Sequence, residues 1–249
     1  MKTITFDARM ASHPGIGRYI RSLLKEMVTC ERYRFKLIGN PCVLDPFKPH
    51  AEIVPCDLKI YGLKGLFASS GFYRGADLIH IPHFNVPFNL KAPFVATIHD
   101  LIHFEFEEYK PFPGALFMLR LQLNRIFKNA AGIIAVSEAT RQSCVRMFNA
   151  SESSIQVIYE AAEENLTSQQ SRPDGFESSR YILCVGSVRE HKNIHGILSA
   201  YEYIRRERPE VKLVILGKLD PRFESKHQFL KKVSENPDIV HIANADDKE

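Results

Sequence analysis

The residues of this 249-residue chain best suited to chemistry fall in three short stretches. In YILCVGSVREHKNIH, Tyr181 to His195, an apolar run ends at Gly186, and Arg189, Lys192 and Asn193 precede apolar residues at helical spacing. A helix N-terminus offers unpaired N–H donors and the positive end of a dipole, so Asn193 as cap with Lys192 beside it would suit an anion such as a phosphate. An ordinary strand-to-helix turn with solvated basic side chains accounts for the same residues. In the second stretch, PFVATIHD, His99 and Asp100 close a β-branched apolar run, and side chains at the C-terminal ends of parallel strands project into a ligand crevice. His99 therefore reads as a crevice residue, a structural histidine or, with His103, a metal ligand. The last reading needs a helix, whereas the run before His99 argues for a strand, so no metal site is assigned. In the third stretch, PGIGRYIRSLL, Gly15 and Gly17 stand where a helix starts, either to let a ligand approach the backbone or only to make the turn. His80 and His83, in HIPH, read as structural or loop residues.

These residues need strands and helices to hold them, and the chain alternates the two. Strands are expected at Thr3 to Phe6, Phe35 to Ile38, Glu52 to Val54, Asp77 to Ile81, Phe94 to Ile98, Gly132 to Val136 and Ile155 to Tyr159. Helices are expected from Ile16 to Met27, over Leu63 to Tyr73, along the Leu116 to Phe127 stripe and after Ser137, whose hydroxyl suits a cap. The Pro-rich NPCVLDPFKPH and the stretch EFEEYKPFP read as loops. After the polar stretch AEENLTSQQSRPDGFESS, which has a linker's composition, come strands at Tyr181 to Val185, Val211 to Leu216 and Ile239 to Ala243. Helices follow Asn193 and cover Phe223 to Val233. Unbroken apolar strands alternating with helices imply parallel sheets covered on both faces, an α/β fold. The division expected is 1–170 for a Rossmann-like, doubly wound domain and 171–249 for the first part of a second.

A hydrophobic content of 45% supplies a sizeable core, and the net charge of +4 suits anionic ligands or peripheral contact with an anionic membrane face. Dense Lys/Arg clusters are lacking, so no nucleic-acid partner is expected. Five scattered cysteines without a CxxC pair point to reduced thiols and a cytoplasmic chain. The N-terminus MKTITFDARM lacks an apolar signal core, and no apolar run approaches a membrane span. A nicotinamide-dependent oxidoreductase is disfavoured because no GxGxxG follows the first strand.

The motifs GIGRYIRSLL, HDLI with YKP, AVSEATR, VGSVREHKN and VKLVILGK, in that order, resemble glycosyltransferase family 4, the retaining GT-B enzymes that use nucleotide-sugar donors. The resemblance spans essentially the whole chain. It implies a GT-B arrangement, with an acceptor-binding N-terminal domain, a donor-binding second domain and transfer in the cleft between them. It makes Lys192 a contact to the donor diphosphate and His99 a residue facing the donor sugar, both catalytic. Gly15, Gly17, Gly186, Arg189 and Asn193 join Lys192 at the donor, while Arg18 and Asp100 fall to the acceptor. The donor is a substrate, with GDP-mannose the form considered, and no cofactor is implied. The acceptor is a glycan or lipid-linked glycan of polysaccharide or lipopolysaccharide synthesis, at the inner face of the membrane. The chain departs from the family pattern at Ser187 and His191, where an arginine is usual, and at Glu160 and Ala161, where the family has asparagine and glycine. The family's pair of donor-gripping glutamates has no expected counterpart within this sequence. Incompleteness of the second domain implies uncovered strands near Val185, Ile215 and Ile242, oligomers through them, and an inactive, relic-like binding module as the alternative function.

Overall fold

The computed structural model describes residues 1–60, 63–67, 69–161, 180–221, 223 and 225–243. It divides into two compact units, Met1–Glu163 and Glu164–Glu249; the expected boundary after residue 170, and the linker around it, lie outside the described residues.

The first unit runs β1 (Lys2–Asp7), α1 (Ile16–Met27), β2 (Tyr33–Gly39), α2 (Pro41–Leu44), β3 (Ala51–Pro55), α3 (Leu63–Phe67), β4 (Leu78–Ile81), β5 (Phe94–Ile98), α4 (Ile102–Glu105), α5 (Pro113–Asn129), β6 (Gly132–Ala135), α6 (Glu138–Phe148) and β7 (Ile155–Val157). All seven strands are parallel, in the order β3-β2-β1-β4-β5-β6-β7. Register explains the layers. Ile4 and Phe6 lie beside Phe35 and Leu37 and pack against Ile20 and Leu24 of α1. Ile79, Ile81, Phe94, Ala96, Ile98 and Ile133 form another core with Leu119, Leu123 and Ile126 of α5. The order reverses between β1 and β4, and such a switch point is where open parallel sheets hold ligands, at the C-terminal ends of the strands.

Three expectations change. NPCVLDPFKPH is not a plain loop: Asn40 accepts a hydrogen bond from Cys42 N at 2.9 Å, Pro41 takes the first helical position, and α2 passes into a 3₁₀ turn at Asp45–Phe47. EFEEYKPFP likewise contains the end of α4 and a 3₁₀ turn at Glu107–Tyr109. GIIA is not buried throughout: Ile133 and Ala135 are buried in the core that includes Leu123 and Ile126, Gly132 and Ile134 are half-buried, and Gly132, Ile133 and Ile134 line a concavity of about 720 Å³ with Val95 and Val157.

The second unit runs β8 (Arg180–Val185), α7 (Ile194–Glu207), β9 (Val211–Leu216), α8 (Lys226–Glu235) and β10 (Ile239–Ile242), parallel in the order β10-β9-β8. The last helix starts at Lys226, because Phe223 reaches the core from the preceding turn, near Phe229 and His195. Ile182, Cys184, Leu213 and Ile215 pack under Ile194, Leu198, Tyr201 and Phe229. The opposite face of β8 is open among the described residues, with Leu183 and Val185 50% and 72% exposed. The described residues hold no helix long and apolar enough to cross a membrane.

Candidate functional site

In the first unit the switch between β1 and β4 gathers groups from four elements. β1 ends in Asp7, which accepts from Arg9 Nε at 2.8 Å, from Arg9 Nη2 at 2.6 Å and from Tyr73 OH at 2.8 Å. Both charged side chains are 2% exposed. Burial opposes the Arg9 charge, but the hydrogen bond and charge of Asp7 outweigh it and raise the guanidinium pKa; burial, then the Asp7 charge, raises that of Tyr73 well above normal. This buried cluster anchors the loop between β1 and α1.

Gly15 caps α1 with φ 76°, a left-handed value that suits glycine, and is exposed. The close approach that Gly17 permits is to its own chain: it is buried, and a Cβ there would lie 2.5 Å from the Ala11 carbonyl oxygen. Arg18 is exposed on the first turn of α1. One residue on, Tyr19 turns inward, and its hydroxyl lies 3.4 Å from Thr97 Oγ1 on β5.

His99, directly after β5, is held from several sides. Nδ1 lies 3.1 Å from Glu160 Oε1, and Nε2 lies 3.0 Å from the Pro82 carbonyl oxygen. The Tyr19 ring stands edge-on to it at 4.8 Å, and Thr140 Oγ1 donates to its carbonyl at 3.0 Å. Its side chain is only 13% exposed, so it is not the open strand-end residue that its position suggests. Asp100 is exposed and accepts from Ile102 N at 3.1 Å, at the start of α4. His103 turns its Nδ1 to the Tyr109 carbonyl, 2.7 Å away.

His80 and His83 are buried in this cluster. His80 Nε2 lies 3.0 Å from Thr97 Oγ1, and the ring meets Phe6 edge-on at 4.7 Å. The His83 ring lies 6.4 Å from that of His99. Burial, and secondarily His99, pushes His80 down to about 4; burial, then His99 and His13, pushes His83 down to about 3. Both are neutral at neutral pH, beside a histidine paired with a carboxylate.

The second unit builds its site at one turn. β8 ends at Gly186, whose φ of 147° is in the region glycine favours and whose missing side chain faces open space. A 3₁₀ turn at Glu190–Lys192 leads into α7, and Asn193, at φ 50°, caps it by accepting from Gly196 N at 3.2 Å. Lys192 is exposed at this helix start. Arg189 is committed otherwise: its Nε lies 3.0 Å from Oδ2 of Asp220, a carboxylate only 5% exposed.

Of the residues singled out by spacing, the structure places Asn193 as the cap of α7, Lys192 exposed beside it and His99 just after β5. Spacing did not single out Tyr19 or the Asp7–Arg9–Tyr73 cluster, and it marked Glu160 only as a departure from the family pattern.

Comparison with known proteins bears on the family and the fold. Residues 15–164, more than half of the chain, match Glycosyltransferase Family 4, and residues 167–247 match Glycosyl transferases group 1. The O-antigen chain mannosyltransferase B of Escherichia coli is 28% identical over 150 residues, covering 56% of this chain and 38% of the relative. The chain therefore spans about two fifths of that protein's length. A glycosyltransferase from Rickettsia africae ESF-5 has TM-score 0.62 at 14% identity, covering 99% of this chain and 69% of that one. An apo structure of OtsA has TM-score 0.61 at 11% identity, covering 100% and 74%. These likenesses are of fold, and the α/β arrangement is of the GT-B type. Two successive Rossmann-like sheets, the motif order and the matched profile place the chain in Glycosyltransferase Family 4.

Proposed function

We propose that the chain forms part of a retaining hexosyltransferase, which moves a sugar, mannose in our reading, from a nucleotide-sugar donor to a glycan or lipid-linked acceptor. The observation that carries this is the turn after β8, where a capped helix start, an exposed Lys192 and the open Gly186 converge within a region matching Glycosyl transferases group 1. Charge grows on the departing diphosphate during transfer. A lysine and a helix N-terminus fixed in advance therefore stabilise the transition state more than the ground state, which lowers the barrier.

Mannose and a polysaccharide product rest on the name of the 28% identical relative, an O-antigen chain mannosyltransferase, while GDP as the carrier is our own expectation for a mannose donor. Retention rests on the motif resemblance. In this reading His99 donates a hydrogen bond to the donor sugar, Gly15 and Asn193 lend backbone groups, and Arg18 and Asp100 lie toward the acceptor. Work at the inner face of a membrane, with peripheral contact, suits the net charge of +4. The open Leu183 and Val185 face supports self-association.

The test is transfer by the whole protein that carries this chain, with a panel of nucleotide sugars, before and after Lys192→Ala. A loss of about 1.5–3 kcal/mol in kcat/KM is expected, the range for a charge-assisted hydrogen bond. Equal turnover by the variant would refute the assignment.

A further inference from the structure

Glu160 has no part in the reading above, yet among the described residues it is one of two groups hydrogen-bonded to the His99 ring. It follows β7, 61 residues from His99 in sequence, and its side chain is 49% exposed where that of His99 is 13% exposed. The partners of the ring are both oxygens that accept: the Glu160 carboxylate faces Nδ1 at 3.1 Å, and the Pro82 carbonyl faces Nε2 at 3.0 Å. A neutral imidazole has one donor and one acceptor nitrogen, so it would set a lone pair against one of these oxygens. Only the ring with both protons satisfies the pair.

The other neighbours cannot replace Glu160. Tyr19, from α1, offers the ring an aromatic edge while its hydroxyl engages Thr97. His80 and His83, on and just after β4, are buried bases, and His83 faces His99, His13 and His103 together with the side chain of Asn85. None of these supplies a negative charge.

We propose that Glu160 is a positioning residue for His99: its carboxylate holds the ring through Nδ1 so that Nε2–H is the donor offered at the end of β5. The Pro82 carbonyl is the internal acceptor, and an oxygen of a sugar hydroxyl or phosphate competes for the same proton. The inference rests on the reading of His99 as a donor-sugar contact. It also explains a departure from the family pattern, because an asparagine at this position brings no charge to the ring.

The test uses the whole protein with Glu160→Gln, Glu160→Asp and His99→Ala. The first readout needs no substrate: ring-nitrogen NMR of His99, assigned by its loss in His99→Ala. Both ring nitrogens are expected to show hydrogen-bonded donor character in the parent and in Glu160→Asp, with one losing that character in Glu160→Gln. The second readout is transfer. Glu160→Gln should lower kcat by about tenfold to hundredfold and move its pH profile with little change in donor KM, and Glu160→Asp should restore part of the loss. Unchanged ring nitrogens in Glu160→Gln would overturn the inference. So would normal transfer by Glu160→Gln alongside loss of transfer in His99→Ala. Transfer that survives His99→Ala would instead refute the role of His99 and remove the catalytic part of the inference, while the ring nitrogens still decide whether Glu160 holds the ring.

Discussion

Acid should unfold the first unit through His80 and His83. Both rings are buried, 7% and 6% exposed, and burial holds their native pKa values near 4 and 3 against an ordinary value of 6.5. Between 6.5 and about 4 the unfolded chain binds protons that the native rings refuse. Stability is therefore full above 6.5 and falls as the pH falls, until the native rings protonate as well. Each histidine contributes about 1.4 kcal/mol per pH unit inside that window. Taking the pH from 7.5 to 5 crosses about 1.5 units of it, so each ring removes about 2 kcal/mol and the two together about 4. That is a large part of the roughly 5–15 kcal/mol that holds a typical domain. The chain has no tryptophan, so urea unfolding is best followed by far-UV circular dichroism at pH 7.5, 6 and 5. The double variant His80→Gln, His83→Gln should be less stable at pH 7.5 but lose far less on acidification. A parent that loses under about 1 kcal/mol over this range, or a double variant with the parent's slope, would refute the reasoning.

Asp7→Asn should cost about 3–5 kcal/mol in urea unfolding, because it leaves the Arg9 guanidinium charged, buried and poorly paired; a cost below about 1 kcal/mol would contradict the buried pair. Asn193→Ala should cost about 1 kcal/mol and speed amide exchange in the first turn of α7, and unchanged exchange there would remove the cap assignment. His99→Ala should abolish most transfer and also lower stability by about 1–2 kcal/mol, since the ring loses two hydrogen bonds and the Tyr19 contact. Normal transfer in a destabilised His99→Ala protein would mark a structural histidine.

What could be read from the sequence was what lies close along the chain. Alternating apolar runs disclosed the parallel sheet, and the side-chain types of Ser137 and Asn193 disclosed two caps, with bonds to Thr140 N and Gly196 N. The helix at Pro41–Leu44 was equally local, marked by Asn before Pro, but the prolines after it suggested a loop. Phe223 shows a different limit, because periodicity cannot separate a core residue in a helix from one in the preceding turn. The rest depended on contacts that no spacing encodes. Asp7 meets Tyr73, in the turn before β4, across 66 residues, and His99 meets Glu160 across 61, joined only because the sheet order brings β1 beside β4 and β5 near β7.

The turn after β8 shows how a structure can separate residues that a sequence treats alike. Arg189 and Lys192 are both cations near one helix start, and each could serve a phosphate. Arg189, however, pairs with Asp220, whose carboxylate is almost wholly buried, whereas Lys192 is exposed. Removing Arg189 should therefore act first on folding. Arg189→Ala leaves the Asp220 charge buried with a weaker partner set, and because Arg189 is itself 37% exposed, solvent screening limits the cost to about 2 kcal/mol. Lys192→Ala should leave stability within about 0.5 kcal/mol, as surface substitutions do, and reduce transfer. The decisive comparison is the double variant Arg189→Ala, Asp220→Asn, which removes both charges together. It should recover much of the stability lost in Arg189→Ala and keep transfer well above that of Lys192→Ala. If Arg189→Ala is as stable as the parent and loses transfer as Lys192→Ala does, Arg189 is a phosphate ligand and its bond to Asp220 is incidental.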